Sequence, residues 1–257
     1  TGRASIRNYN EVLWLTENYL TYDFDLGESH EFQALAGASF QESEWESSFA
    51  YVAGFGSDRV KTLNGGSQIL TSTSDAESWG IASYFGRFNY NLAGKYLFSF
   101  NYRVDGSSRF GVNNKYGHFP SASVGWNIIE EGFMEGIPWM TNLKARASYG
   151  VTGNQEIGNY SHLGTLGVGG GTNLGRNYLN RLGVVVNNIP NEDFSWEQTT
   201  QLNVGADVGL LNNRLSITGD YYIKTTTDLL LNIPLPRTSG FASTLTNIGE
   251  MENRGLQ

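Results

Sequence analysis

Between Tyr96 and Asp105 apolar and polar side chains alternate with a period of two. Tyr96, Phe98, Phe100, Tyr102 and Val104 share one parity, Ser99, Asn101, Arg103 and Asp105 the other, and Leu97 is the single exception. Successive side chains on a β-strand point to opposite faces, so the segment is expected to be a strand with an aromatic face and a charged face. An apolar band about 25 Å tall, crossed at a tilt of roughly 40°, needs about ten residues at about 3.4 Å each. The segment has that length.

The alternation recurs along the chain. Leu20, Tyr22 and Phe24 stand against Thr21 and Asp23; Phe32, Ala34, Ala36, Ala38 and Phe40 stand against Gln33, Gly37, Ser39 and Gln41. Tyr84, Gly86, Phe88, Tyr90 and Leu92 oppose Ser83, Arg87, Asn89 and Asn91. Beyond the Tyr96 strand, Ala122, Val124, Trp126 and Ile128 oppose Ser121, Ser123, Gly125 and Asn127. Leu143, Ala145, Ala147, Tyr149 and Val151 oppose Lys144, Arg146, Ser148, Gly150 and Thr152. Leu202, Val204, Ala206 and Val208 oppose Gln201, Asn203, Gly205 and Asp207, and Leu215, Ile217, Tyr221 and Ile223 oppose Ser216, Thr218, Asp220 and Lys224. The pattern predicts eight whole strands, with a ninth starting near Glu252.

Connections alternate in length as well. Asp25–Ser29, Leu92–Lys95 and Leu210–Asn213 carry the Gly, Asn and Asp of tight hairpin turns. Glu42–Trp79, Gly106–His118, Asn154–Asp193 and Leu229–Met251 are expected to be long loops, and Glu130–Thr141 is intermediate. Short turns at one end and long loops at the other are the layout of an outer-membrane barrel, periplasmic and extracellular respectively. The expected fold is therefore all-β, an antiparallel transmembrane β-barrel segment. A soluble sandwich, with the apolar parity packed on a second sheet, shares the period and stays open as an alternative. Arg or Lys facing lipid at mid-bilayer costs about 2–4 kcal/mol, so a barrel needs its cations on the polar parity. Arg87, Arg103, Lys144, Arg146 and Lys224 all fall there.

Composition narrows the function classes. The chain of 257 residues has 32 Gly, 14 Tyr, 14 Phe and 6 Trp, and only 16% charged residues, against roughly 25% in soluble domains. A formal net charge of -8 argues against binding nucleic acid by phosphate neutralisation. Zero cysteines exclude disulfides and thiolate metal sites. No apolar run is long enough for a transmembrane helix, and the opening Thr1–Ser5 is no signal peptide.

Seven stretches together resemble the barrel of SusC/RagA-type TonB-dependent transporters of Bacteroidota. They are Ser83–Tyr90, Arg103–Gly111, Phe119–Trp126, Tyr149–Gln155, Trp196–Gln201, Asp220–Tyr222 and Asn247–Gly255. The resemblance runs from about Asn10 to the end. It implies that residues 1–257 form part of one barrel domain, about eight to nine strands of a 22-stranded barrel whose lumen holds an N-terminal plug. Plug domain and barrel ends are expected outside this chain. The implied function is import of oligosaccharides, peptides or similar nutrients. A SusD-like surface lipoprotein would serve as lid, TonB–ExbB–ExbD would supply energy through the missing N-terminal region, and outer-membrane lipid would surround the wall. A transporter-like barrel recruited as a structural subunit of another outer-membrane complex, and a soluble carbohydrate-binding β-sandwich, remain the alternatives.

Candidate chemistry is sparse, and no nucleophile, base and orienter set suggests catalysis. Arg87, Asn89, Asn101, Arg103, Lys144 and Arg146 are expected to face the lumen and touch plug, water or solute. Tyr84, Phe88, Tyr96, Phe98, Phe100, Tyr102, Val124, Trp126, Leu202 and Val204 are expected to face lipid. His30, His118 and His162 lack zinc-triad spacing, and no cofactor or metal is expected. Gly167–Gly171 lacks the ending of a phosphate loop. Asp105–Arg109 suits either an ion site or a turn. Glu42, Glu44 and Glu46 with Trp45, Phe49, Tyr51 and Phe55 form an acidic-aromatic segment, either a solvated loop or a contact for sugar or a partner. Trp14, Trp79, Trp126, Trp139 and Trp196 are expected in interfacial girdles.

Overall fold

The computed structural model describes residues 2–57, 59–168, 177–178 and 181–257. One antiparallel sheet carries nine strands in chain order. These are β1 (Gly2–Leu26), β2 (His30–Phe55), β3 (Gly66–Leu92), β4 (Tyr96–Ser107), β5 (Tyr116–Asn127), β6 (Met140–Asn154), β7 (Glu197–Leu210), β8 (Leu215–Thr227) and β9 (Glu250–Leu256). The remaining described strands form two-stranded ribbons in the long connections, among them Leu230–Pro234 with Ser243–Asn247. No second sheet covers the apolar parity among the described residues, and this overturns the sandwich.

Register converts alternation into two faces. One rung runs Phe24, Phe32, Tyr90, Phe98, Val124, Ala147, Val204, Tyr221, Leu256. The adjacent rung runs Asp23, Gln33, Asn89, Ser99, Ser123, Ser148, Asn203, Tyr222, Gly255. The apolar parity is exposed, with Phe100 at 41% and Tyr102 at 42%. The polar parity lines a trough of about 640 Å³ that touches both Asp23 of β1 and Asn203 of β7. The sheet is therefore curved, concave on its polar side.

At the tight-turn end, Ala93 and Gly94 both adopt positive φ, 52° and 70°, as a two-residue hairpin turn requires. Leu211, Asn212 and Asn213 do likewise at 54°, 58° and 58°, and asparagine tolerates that region best after glycine.

The first three strands depart from expectation. β1 begins at Gly2, not near Leu20, and Glu42–Trp79 is not a loop: it is the upper part of β2 and β3, closed by a connection from 56 to 65. Glu42, Glu44, Glu46, Trp45, Phe49, Tyr51 and Phe55 all lie within β2. Backbone pairing continues from Gln41 against Leu15 and Ile81 to Tyr51 against Ser5 and Thr71. The apolar parity stops because Phe40 is followed on its face by Glu42, Glu44 and Glu46. With both faces wet, a strand has no hydrophobic period, and the signal vanishes while the ladder persists.

The long connections pack their own core. Phe110 (fully buried), Phe119, Phe194 and Trp196 (5% exposed) cluster, with Val151, Ile157, Leu230 and Leu245 against them. Trp196 lies tilted at 4.7 Å from Phe110 and edge-on at 5.3 Å from Phe119, and its Nε1 donates to the Lys115 carbonyl at 3.1 Å. Trp196 is thus a core residue and not part of a girdle, and Val151 serves the same core. Gly153 has no room for a Cβ, which would collide with the Phe119 ring. Trp196→Ala is expected to cost about 3–5 kcal/mol. The loss should show in hydrogen exchange as deprotection of 107–119 and 194–196, with β1–β3 unchanged.

Candidate functional site

The concave face holds the candidate site, and register builds it. Many polar side chains there meet partners on flanking strands and join across the ladder. Gln33 Nε2 donates to Asp23 at 2.8 Å, Asn89 Nδ2 to Gln33 at 3.0 Å, and the Ser99 hydroxyl to Asn89 at 2.7 Å. That chain crosses four strands. One rung toward the long-loop end, Arg87 Nε donates to Asn101 at 2.6 Å and Asn101 Nδ2 to Ser121 at 3.3 Å. Arg103 shares its Nε–H between the two Asp105 carboxylate oxygens at 2.7 and 2.9 Å, donates from a terminal nitrogen to Ser83 at 2.9 Å, and lies 5.5 Å from the Phe85 ring centre. Phe85 in turn covers Gly37, where a Cβ would sit 2.6 Å from its ring.

Arg146 has the strongest electrostatic setting. It donates to Asp207 on the neighbouring strand at 3.1 Å and to Asp220 one strand further at 2.7 Å. The second reach crosses β7 at Gly205, and a side chain there would collide with the Asp220 carboxylate. The glycine leaves a gap through which one guanidinium joins three strands. Thr218 adds a hydrogen bond to Asp207 at 3.0 Å. Lys144 stands opposite Asp207 in the ladder. All six polar candidates therefore share one face: Arg87, Asn89, Asn101, Arg103 and Arg146 have side-chain hydrogen-bond partners, and Lys144 lines the trough. The reading of parities missed Asp23, Gln33, Asp207 and Asp220 as the counterparts of these residues. Parity alone was enough to place them, but only register shows which cation meets which carboxylate.

Other candidates fall elsewhere. His30 meets the Tyr90 hydroxyl at 2.8 Å, His118 the Tyr102 hydroxyl at 2.8 Å, and His162 the Arg109 carbonyl at 3.1 Å, each in a separate place. In Asp105–Arg109 the carboxylate is held by Arg103, while Ser108 exchanges two hydrogen bonds with Gly80 at 2.9 and 3.0 Å. Asp105–Ser107 end β4, and Ser108 and Arg109 begin the turn that is tied to β3. Gly169, Gly170 and Gly171 lie outside the described residues. Trp79 lies under the Arg109 guanidinium at 4.6 Å, and Arg109 also donates to Asn159 at 2.8 Å. Burial draws the Arg109 guanidinium below its ordinary pKa, partly offset by Glu156 and Glu77. Trp14 and Trp139 are exposed.

Trp126 marks the tight-turn end of the convex face with a partner that sequence reading missed. Glu131, in the turn after β5, accepts from Tyr96 at 2.7 Å, Trp126 Nε1 at 3.0 Å and Lys95 Nζ at 3.2 Å. These donors draw its carboxyl below the usual carboxylate range, Tyr96 most, then Trp126 and Lys95.

These features have relatives. The sequence matches the family model of the TonB dependent receptor-like β-barrel over residues 1–257. The chain belongs to the TonB-dependent receptor β-barrel family. It is 40% identical to TonB-dependent receptor P3 of Formosa agariphila, covering 100% of this chain and 25% of that protein. It is 34% identical to TonB-dependent receptor SusC of Bacteroides thetaiotaomicron, over 93% of this chain and 24% of that one. The structure of the RagAB peptide transporter superposes with a TM-score of 0.91 at 34% identity, covering 99% of this chain and 28% of that one. The chain spans about a quarter of the length of the curated relatives it matches. It is outer-membrane barrel sequence, and its relatives are receptors and transporters, not enzymes.

The Glu131 cluster gives this barrel an acid-sensitive element at its short-turn rim. A carboxyl whose folded pKa is depressed stabilises the fold above its unfolded value of about 4.3, and the contribution is lost as pH falls through the folded value. Glu131→Gln is therefore expected to lower the barrel's thermal unfolding temperature at pH 7. The difference from the native protein should shrink on acidification below about pH 4.3, as read from heat-modifiable migration across that range.

Proposed function

We propose that this chain is barrel wall in a SusC-like TonB-dependent importer of oligosaccharides, peptides or similar nutrients, working with a SusD-like surface lipoprotein and powered through TonB–ExbB–ExbD. The observation that carries the reading is the exposed apolar parity, repeated on β2 to β8 and reaching Leu256 of β9 along one rung, backed by a hydrogen-bonded polar face. On this reading Tyr84, Phe88, Tyr96, Phe98, Phe100, Tyr102, Val124, Trp126, Leu202 and Val204 meet lipid. Arg87, Asn89, Asn101, Arg103, Lys144 and Arg146 line the lumen, where the plug and the passing solute lie. Residues 1–257 are then one part of a single barrel domain, with the plug in another part of the protein. On β2 the band from His30 to Phe40 spans about ten residues, or about 25 Å of membrane at a 40° tilt, and ends at Glu42.

The RagAB relative is a peptide transporter by its description, and that supports import as the task of this barrel. Orientation follows from loop length: tight turns at 27–29, 93–95 and 211–214 on the periplasmic side, the β2–β3 hairpin and long connections outside. These 257 residues hold no cysteine, so single cysteines placed here report cleanly once any cysteine elsewhere in the full-length protein has been replaced by serine. In intact cells making the full-length protein, Ser72→Cys should react with a membrane-impermeant maleimide, and Asn212→Cys should react only after the outer membrane is opened. The reverse pattern would overturn the orientation.

A further inference from the structure

Gly86 lies on the apolar, convex parity of β3 with nothing above it. A Cβ built there meets only the Leu35 carbonyl oxygen, at 3.5 Å, and the backbone is not left-handed. Neither crowding nor conformation therefore calls for glycine. Gly37 and Gly205 differ, because their missing side chains make room for Phe85 and Asp220. At Gly86 the missing side chain leaves a hollow of about 510 Å³ in the convex face.

Register builds the hollow. Gly86 pairs with Ala36 on one side and Tyr102 on the other, so two of these three positions carry no more than a methyl group. Two residues toward the tight turns stand Phe88 and Phe100, and two residues toward the long connections stand Tyr84 and Val104. The result is a slot with a floor of backbone and methyl and with aromatic sides. The strands that form it, β2, β3 and β4, are each paired on both edges within the chain. The slot is thus independent of where the sheet ends, and no extended segment can add a strand to it.

Height in the band selects the occupant. On β3 the apolar band runs from Leu92, opposite His30, to Ala82, opposite Phe40. Phe88 lies near its middle and Tyr84 two residues short of its outer edge. Those two rings are about 10 Å apart in height at about 3.4 Å per residue and a tilt of roughly 40°. The slot therefore occupies the half of the membrane beside the long connections and reaches the midplane. Polar atoms gather at its outer end, in the Tyr84 hydroxyl and in the Tyr102 hydroxyl that His118 Nδ1 meets at 2.8 Å.

We propose that this slot holds one acyl chain of an outer-leaflet lipid as an ordered ligand, unlike the fluid lipid along the rest of the wall. An acyl chain is a methylene rod with no hydrogen-bonding group along its length, which suits rings and a fully paired ladder. Floor and sides give it dispersion contacts on three sides, more than a flat aromatic surface can. Its carbonyl, where the chain joins the headgroup, comes level with the Tyr84 hydroxyl, a donor at the depth that tyrosine favours. A second copy seated here by two-fold symmetry would set hollow against hollow and fill neither.

The site rests on the apolar parity facing lipid. The full-length protein should be extracted from its membrane in mild detergent and washed in rising detergent, with the lipid remaining per barrel counted by mass spectrometry. One lipid per barrel should survive the wash that strips the others. Gly86→Leu and Ala36→Leu fill the slot from two strands, and each should lower that occupancy at least tenfold with heat-modifiable migration unchanged. Ala147→Leu, on the same parity of β6 and outside the slot, should keep the lipid. If one filling variant fails to fold, the other decides. No surviving lipid, or equal retention in a folded filling variant, would overturn the site. So would a disulfide between two copies of a single-cysteine Gly86→Cys protein in intact membranes, which would make the hollow a seam between barrels. A spin label at Phe100 separates the two levels: oxygen access with no lipid retained removes the slot alone, whereas access to a water-soluble nickel chelate removes the lipid-facing reading with it.

Discussion

Register is the constraint on which everything else in this structure depends. From Leu26 against His30 to Tyr51 against Thr71, adjacent strands pair without a slip over most of their length. A slip of one residue would exchange the two faces of a strand outright. With the pairing fixed, an aromatic rung and a polar rung alternate up the wall, and no separate core is needed to tell one face from the other. The register shifts among the described residues, at Gly2/Arg3, Tyr51/Val52 and Gly209/Leu210, sit near strand ends.

The polar face has its own design. Asp23, Gln33, Asn89 and Ser99 satisfy one another across four strands of the concave face. Glycine enters where one side chain must pass over a neighbouring strand. Gly37 lets Phe85 lie flat beneath Arg103, and Gly205 lets Arg146 reach Asp220. The result is a wall stiffened by side chains as well as by backbone, while the long connections are stiffened by the Phe110–Trp196 core and by Arg109 between Trp79 and Asn159.

Much of this was legible in the sequence because a half-buried strand writes its faces into alternate residues. Nine strands, the tight turns and the six polar candidates on one face follow from that rule. Where both faces are wet, as from Glu42 to Trp79, no period remains, and the extension of β2 from Glu42 to Phe55 looked like a loop. Trp196 misled for a related reason: a tryptophan between irregular segments gives no clue whether it sits in a membrane girdle or in a loop core. The pairing of Arg146 with Asp220 needed register, since the partners are 74 positions apart. Glu131 needed three dimensions, because its donors come from β4, β5 and the β3–β4 turn.

The claim under all of this is that hydrocarbon bathes one parity and water the other. Spin labels placed singly at Phe98, Ser99, Phe100 and Asn101 of the full-length protein in lipid vesicles test it directly, through relaxation by oxygen and by a water-soluble nickel chelate. Labels at Phe98 and Phe100 should be relaxed by oxygen and shielded from nickel, with the opposite at Ser99 and Asn101. Equal accessibility at all four positions, or nickel access at Phe98 and Phe100, would contradict the account.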